Sequence, residues 1–253
     1  MHHAHIDKYA NQQSIIHSLD ARTKLLVVVV FTFFVILRHP SQTHTLPWYA
    51  VGPFAMMVFG GVPIKFVLKQ LLIVSPFVAV LGISCVFFDK QPTEIYFGPW
   101  HWETTGGRLR FLSIVLKFII TFSALITLTS TTRFNELLAG MEKLGMPRLM
   151  VTQLGFLYRY IFLLIDKVGR MLRARGARRL MYLGFSHELK TAGSMIGNLL
   201  ISSLDMAERT SVAMEARGYD GQVRTLSESH FDVKDWVFAA VSAAYMTAMA
   251  VLL

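Results

Sequence analysis

Two arginines, each set between an alanine and a glycine, are the residues of this sequence best suited to directional chemistry. Ala174-Arg175-Gly176 lies inside MLRARGARR, and Ala216-Arg217-Gly218 inside VAMEARGYDG. A guanidinium presents five N–H donors in a planar fork that matches a carboxylate in a bidentate pair. Its small neighbours let the wall of a groove close around that fork. Arg175 and Arg217 are 42 positions apart, and each ends a stretch with helical periodicity. Nothing around either has the make-up of an active site. The pattern is that of two plugs, each shaped for a groove on a partner.

Other chemistry is sparse. No G-x-x-x-x-G-K-[ST] loop occurs, so the chain is not expected to hydrolyse ATP, and no H-E-x-x-H marks a zinc protease. His2 and Asp7 reproduce an H-x-x-x-x-D spacing, but at the extreme terminus with no pocket to frame it. Met1-His2-His3 has the form that binds Cu(II) or Ni(II) in a square plane. With His5 it reads better as a solvated tail. The single cysteine, Cys85, excludes an internal disulfide and a cysteine metal cluster. No catalytic residue, metal site or cofactor is expected.

The elements that position the two arginines belong to a membrane protein. The chain is 53% hydrophobic and 16% charged, whereas a soluble domain carries about a quarter charged residues. Mean hydropathy is +0.47. Residues 1–22 are polar and lack the apolar core of a cleavable signal. The net charge of +9 is concentrated between Arg148 and Arg224. That placement marks a cytoplasmic side rather than a nucleic-acid surface. Arg22 and Lys24, ahead of the first apolar run, put the N-terminus in the cytoplasm by the same rule.

The apolar runs Leu25–Leu37 and Trp48–Phe59 are short for a bilayer that asks for about 20 residues, and form either tilted spans or a helical hairpin. Leu68–Phe88 is long enough to span, with Pro76 inside it. Asp89–Arg110 reads as a polar outward loop with interfacial Trp100 and Trp102. Phe111–Thr129 is a fourth span whose Lys117 reads as snorkelling to the headgroups. An amphipathic helix follows over Thr132–Leu144, ended by Gly145-Met-Pro147.

The longest helix carries an apolar stripe of Met150, Leu154, Leu157, Ile161, Leu164, Val168 and Met171. Arg159, Asp166, Lys167, Arg170 and Arg173 fall off that stripe, which argues against a full crossing of the bilayer. Ser186–Arg217 is its partner helix, with Gly218 as C-terminal cap. Gly193 and Gly197, four apart, predict a close helix crossing. Arg173, Arg178 and Arg179 suit anionic lipid headgroups. Trp236–Leu253 is a final span. The expected fold is therefore an all-α membrane protein of about five transmembrane helices plus a cytoplasmic module of long crossed coupling helices. Its expected divisions are 1–131, 132–232 and 233–253.

At these residues the chain resembles the transmembrane T component of energy-coupling factor transporters, most closely the cobalt-type branch, CbiQ. The resemblance is carried by Leu19-Asp-Ala-Arg-Thr-Lys-Leu25, Arg133-Phe-Asn-Glu-Leu-Leu138, Gly155-Phe-Leu-Tyr-Arg-Tyr160 and both Ala-Arg-Gly triplets. It implies a non-catalytic subunit in a prokaryotic plasma membrane. Such a subunit bridges a CbiM-like substrate-binding membrane subunit and a CbiO-like pair of cytoplasmic ATPases. Carried over by motif, Ala174, Arg175, Gly176, Ala216, Arg217 and Gly218 dock on the ATPases. Cobalt is the cargo the branch implies, with nickel or a vitamin as alternatives. The N-terminal histidines are not part of that resemblance. A stand-alone secondary transporter would place acidic groups at mid-membrane, and the spans here carry no internal Asp or Glu. A membrane enzyme would need a constellation that the sequence lacks.

Overall fold

The computed structural model describes residues 14, 16–38, 45–88, 92–97, 100–178, 184–219 and 232–252. It is an all-α membrane architecture with one short hairpin. In chain order the elements are α1 (Ala21–Leu37), α2 (Leu46–Tyr49), α3 (Val51–Gly60), α4 (Ile64–Phe88), β1 (Pro92–Phe97), β2 (Trp100–Thr105), α5 (Gly106–Thr131), α6 (Phe134–Lys143), α7 (Arg148–Arg178), α8 (Phe185–Glu215) and α9 (Val233–Leu252). They form two compact units, Met1–Leu144 with Ser229–Leu253, and Gly145–Glu228. The boundary falls one helix later than the sequence suggested, because α6 packs on α1 in the first unit.

The first unit is built around α5. Val28, Phe31 and Val35 of α1 meet Ile120, Ala124 and Leu128 of α5, with Leu46 and Tyr49 of α2 completing the cluster. A smaller cluster joins Met57, Val62, Val67 and Ile126. The hydroxyls of α5 do not disturb its apolar surroundings. Thr121, Ser123, Thr127, Thr129 and Thr131 each donate to the carbonyl four residues back, at 2.6–3.1 Å. Pro76 lies within α4, where it cannot donate to Leu72. Ser75 Oγ donates to that freed Leu72 carbonyl at 3.0 Å. A hydroxyl replaces the missing N–H where water is scarce.

Two expectations change here. The segment read as a polar loop contains an antiparallel hairpin, β1 paired with β2 from Pro92↔Thr105 to Phe97↔Trp100. Lys117 finds partners within the protein: its Nζ donates to the carbonyls of Ile36, at 2.9 Å, and Arg38. These are orphan acceptors at the C-terminal end of α1, so the ammonium caps a helix and meets the negative end of its dipole.

At the other end of α1, a buried polar knot ties the helix termini. Asp20 caps α1 by accepting from Arg22 N at 3.0 Å. Asp20 N donates to Asp235 Oδ1 at 2.7 Å, and Asp232 N donates to Asp235 Oδ2 at 2.9 Å. Lys24, fully buried, donates to the carbonyl of Thr131 at 3.2 Å. The starts of α1 and α9 and the end of α5 are thereby fixed together. Gly140 brings α6 against this knot, since a Cβ there would lie 3.2 Å from Arg22 N.

By length and composition, three of the described helices can cross a membrane: Ile64–Phe87, Gly106–Thr131 and Arg148–Arg178. The apolar Leu46–Gly60 is shorter.

Candidate functional site

The second unit is a pair of 31-residue helices, each about 46 Å long. They run antiparallel: the end of α7 meets the start of α8 through Arg175 and Glu188. The middle of α7 faces the second half of α8 across a groove. No residue of either helix is buried. Leu157, Ile165, Leu172, Leu189, Ile196, Leu200, Leu204 and Val212 all stay exposed. Helices this apolar gain their stability from packing, so this pair is shaped to be covered.

The predicted stripe of α7 is divided by that arrangement. Leu154, Leu164, Val168 and Met171 are half-buried, while Met150, Leu157 and Ile161 are exposed. Phe156, Tyr160 and Leu163, off the stripe, line the groove instead.

Each triplet sits at the C-terminal end of one of the two helices. Ala174, Arg175 and Gly176 lie in the last turns of α7, which continues to Arg178. Ala174 and Gly176 are exposed, and a Cβ at Gly176 would meet nothing within 4 Å. The Arg175 guanidinium is held by the Glu188 carboxylate, with both side chains about one-quarter exposed. Ala216, Arg217 and Gly218 form the turn that ends α8, and all three are exposed. Gly218 N donates to Glu215 O at 2.9 Å, and Tyr219 N donates to Met214 O at 3.0 Å. With Gly218 at φ +78°, these bonds make a Schellman motif. The glycine is needed because its neighbours must leave the helix through a left-handed residue. Arg217 therefore stands on a rigid stop and lines the mouth of the groove with Tyr219 and Met214.

Gly193 and Gly197 are not where α7 and α8 meet. A Cβ at either would meet nothing within 4 Å. The half-buried residues of α8, such as Met195, Leu199, Ser202, Met206 and Thr210, recur at helical spacing. The last three of these line the groove with α7. Both glycines fall on the opposite side, beside exposed Ile196, Leu200 and Leu204. The small-residue pattern is real, but it faces away from the partner helix.

Sequence reasoning missed Glu188 as the partner of Arg175 and Asp235 as the anchor of the α1 terminus. The Asp-Ala-Arg-Thr-Lys run was legible, but its acceptor lies 215 residues away. Among the described residues no three His, Cys, Asp or Glu side chains gather to hold a metal. His2, His3 and His5, and Arg179, lie outside the described residues.

A polytopic helical bundle with a separate unit of two long, exposed helices defines a membrane protein of all-α class. Residues 12–227 match the CbiQ family model, described as cobalt transport protein. The chain belongs to the CbiQ family, the transmembrane T components of energy-coupling factor transporters. It is 28% identical to the energy-coupling factor transporter transmembrane protein EcfT of Brevibacillus brevis, over 94% of this chain and 93% of that protein. It is equally similar, at 28%, to the EcfT of Bacillus subtilis, over 85% of this chain and 84% of that one. An uncharacterised protein of Methanocaldococcus jannaschii is 27% identical over 97% of this chain.

Proposed function

We propose that this chain is the coupling subunit of an ATP-driven importer. It links a pair of CbiO-like cytoplasmic ATPases to a CbiM-like substrate-binding membrane subunit. The observation that carries this reading is the pair of 31-residue helices with no buried residue, each ending in an Ala-Arg-Gly whose alanine and glycine are exposed. Arg175 and Arg217 enter one groove on each ATPase, and Ala174, Gly176, Ala216 and Gly218 keep the approach clear. The N-terminus and the α7–α8 pair are cytoplasmic, consistent with the placement of positive charge. The outward face of α8 around Gly193 and Gly197 is offered to the substrate-binding subunit, because small residues let an apolar partner helix approach closely.

ATP binding and hydrolysis change the separation of the ATPases, and the coupling helices pass that motion on as rigid bodies. Cobalt is the cargo that the family description favours, with nickel or a vitamin as alternatives. The chain itself supplies no ATP-binding motif and no catalytic group.

The test is co-purification of the tagged chain with ATPase subunits encoded in its own genome. The wild type retains them in mild detergent, while Arg175→Glu with Arg217→Glu loses them and stays membrane-inserted. Retention by the inserted double variant, or metal uptake by the chain without any ATPase, overturns the assignment.

A further inference from the structure

The groove between the middle of α7 and the second half of α8 has a volume of about 950 Å³. Four cations line it: Arg159 and Lys167 from α7, and Arg209 and Arg217 from α8. Asp205 is the one acidic group among its lining residues. None of the four cations has an ion-pair partner among the described residues. On each helix the two cations are eight residues apart, about 12 Å along the axis. Apolar Phe156, Leu163, Met206 and Met214 share the lining with them.

Cations without ion pairs on two facing walls favour a negative occupant, and their side chains offer donors suited to phosphate oxygens. The volume is at the upper end of that of ligand pockets and far exceeds a single inorganic ion. A free phosphate would leave the apolar walls in water. An anionic amphiphile satisfies both parts of the lining. The abundant anionic amphiphile around a multi-pass membrane protein is phospholipid, and basic pockets between helices at the membrane surface hold such headgroups.

We propose that this groove is a binding site for an anionic phospholipid. Its phosphate sits between Arg159 and Arg209, Lys167 adds its charge about 12 Å further along the α7 wall, and its acyl chains run along the apolar walls. The inference does not depend on the docking role of Arg217, which stands at the mouth of the groove. A bound lipid would also fill the space between two helices that lack a core of their own, stiffening the pair.

Native mass spectrometry of the purified full-length chain tests this. Phosphatidylglycerol and phosphatidylcholine of matched acyl chains are titrated separately, and inorganic phosphate is added as a competitor. The wild type retains phosphatidylglycerol at least about tenfold better than phosphatidylcholine, and millimolar phosphate does not displace it. Each basic residue near an anionic lipid contributes about fivefold. The triple variant Arg159→Gln, Lys167→Gln, Arg209→Gln therefore loses about a hundredfold, with helix content checked by circular dichroism. Lys65→Gln with Lys69→Gln, cations outside the groove, keeps the preference. Equal retention of the two lipids by wild type overturns the proposal without any variant, as does displacement by phosphate. Undiminished binding in a folded triple variant overturns it too. None of these readings involves an ATPase, so failure here is separate from failure of the docking assignment.

Discussion

Glu188→Gln is the perturbation that best separates docking from intramolecular pairing. In the structure the Arg175 fork is occupied by Glu188, and both side chains are about one-quarter exposed. For Arg175 to enter a partner's groove, that pair has to open or be shared. An ion pair at this exposure contributes about 0.2–1 kcal/mol. Removing the Glu188 charge therefore tightens docking by no more than about fivefold. Reversing Arg175 is a different matter. Losing one side of a desolvated, hydrogen-bonded charge pair costs about 2–5 kcal/mol, roughly 30-fold to several thousandfold in Kd. Arg175→Glu should thus dominate, and Glu188→Gln should change affinity slightly in the opposite direction. The assay is a titration of the ATPase pair against the labelled chain in lipid nanodiscs, reading Kd for wild type and each variant. A tenfold or greater loss in Glu188→Gln refutes the reasoning, because Glu188 would then belong to the docking surface. Arg217 is exposed and has no ion pair among the described residues, so Asp205→Asn or Glu215→Gln should leave its docking affinity unchanged.

Three further outcomes follow from the geometry. Asp235→Ala removes the acceptor of two backbone N–H groups at 2.7 and 2.9 Å beside fully buried Lys24, so about 3–5 kcal/mol of stability should be lost; a thermal melt in detergent within a degree of wild type would contradict the knot. Gly176→Ala should leave the fold intact or gain about 0.5–1 kcal/mol of helix stability while weakening ATPase retention, whereas Gly218→Ala strains a residue at φ +78° and frays the end of α8; amide exchange of residues near 214–219 distinguishes the two. Lys117→Met strips the cap from the carbonyls of Ile36 and Arg38 and should cost about 1–3 kcal/mol, measured by the same melt, and an unchanged value would return Lys117 to a snorkelling role.

The membrane class, the long helices and the two triplets were legible in the sequence because each is a local signal. Hydropathy runs marked Leu68–Phe88 and Phe111–Thr129, and helices α4 and α5 cover them. Gly218 announced the stop of α8, and the backbone there adopts the left-handed turn that only glycine accepts without strain. Local signals failed where pairing partners are distant. Lys117 reads as an isolated charge until α1 ends beside it. The hairpin at Pro92–Thr105 carries too many turn-forming and aromatic residues to be told from a loop by pattern alone.

By itself the sequence determined that the chain is helical and membrane-embedded, and that two arginines flanked by alanine and glycine close two long amphipathic helices. Hydrophobicity, charge placement and helix-stop residues act over a few turns, so they can be read along one dimension. Only the tertiary structure decided which faces meet. It turned the Gly193–Gly197 side of α8 away from α7, paired Arg175 with Glu188, and gathered four cations into one groove. Helical periodicity specifies that residues share a face, but not which neighbour that face will find, because that choice belongs to packing between segments far apart in the chain.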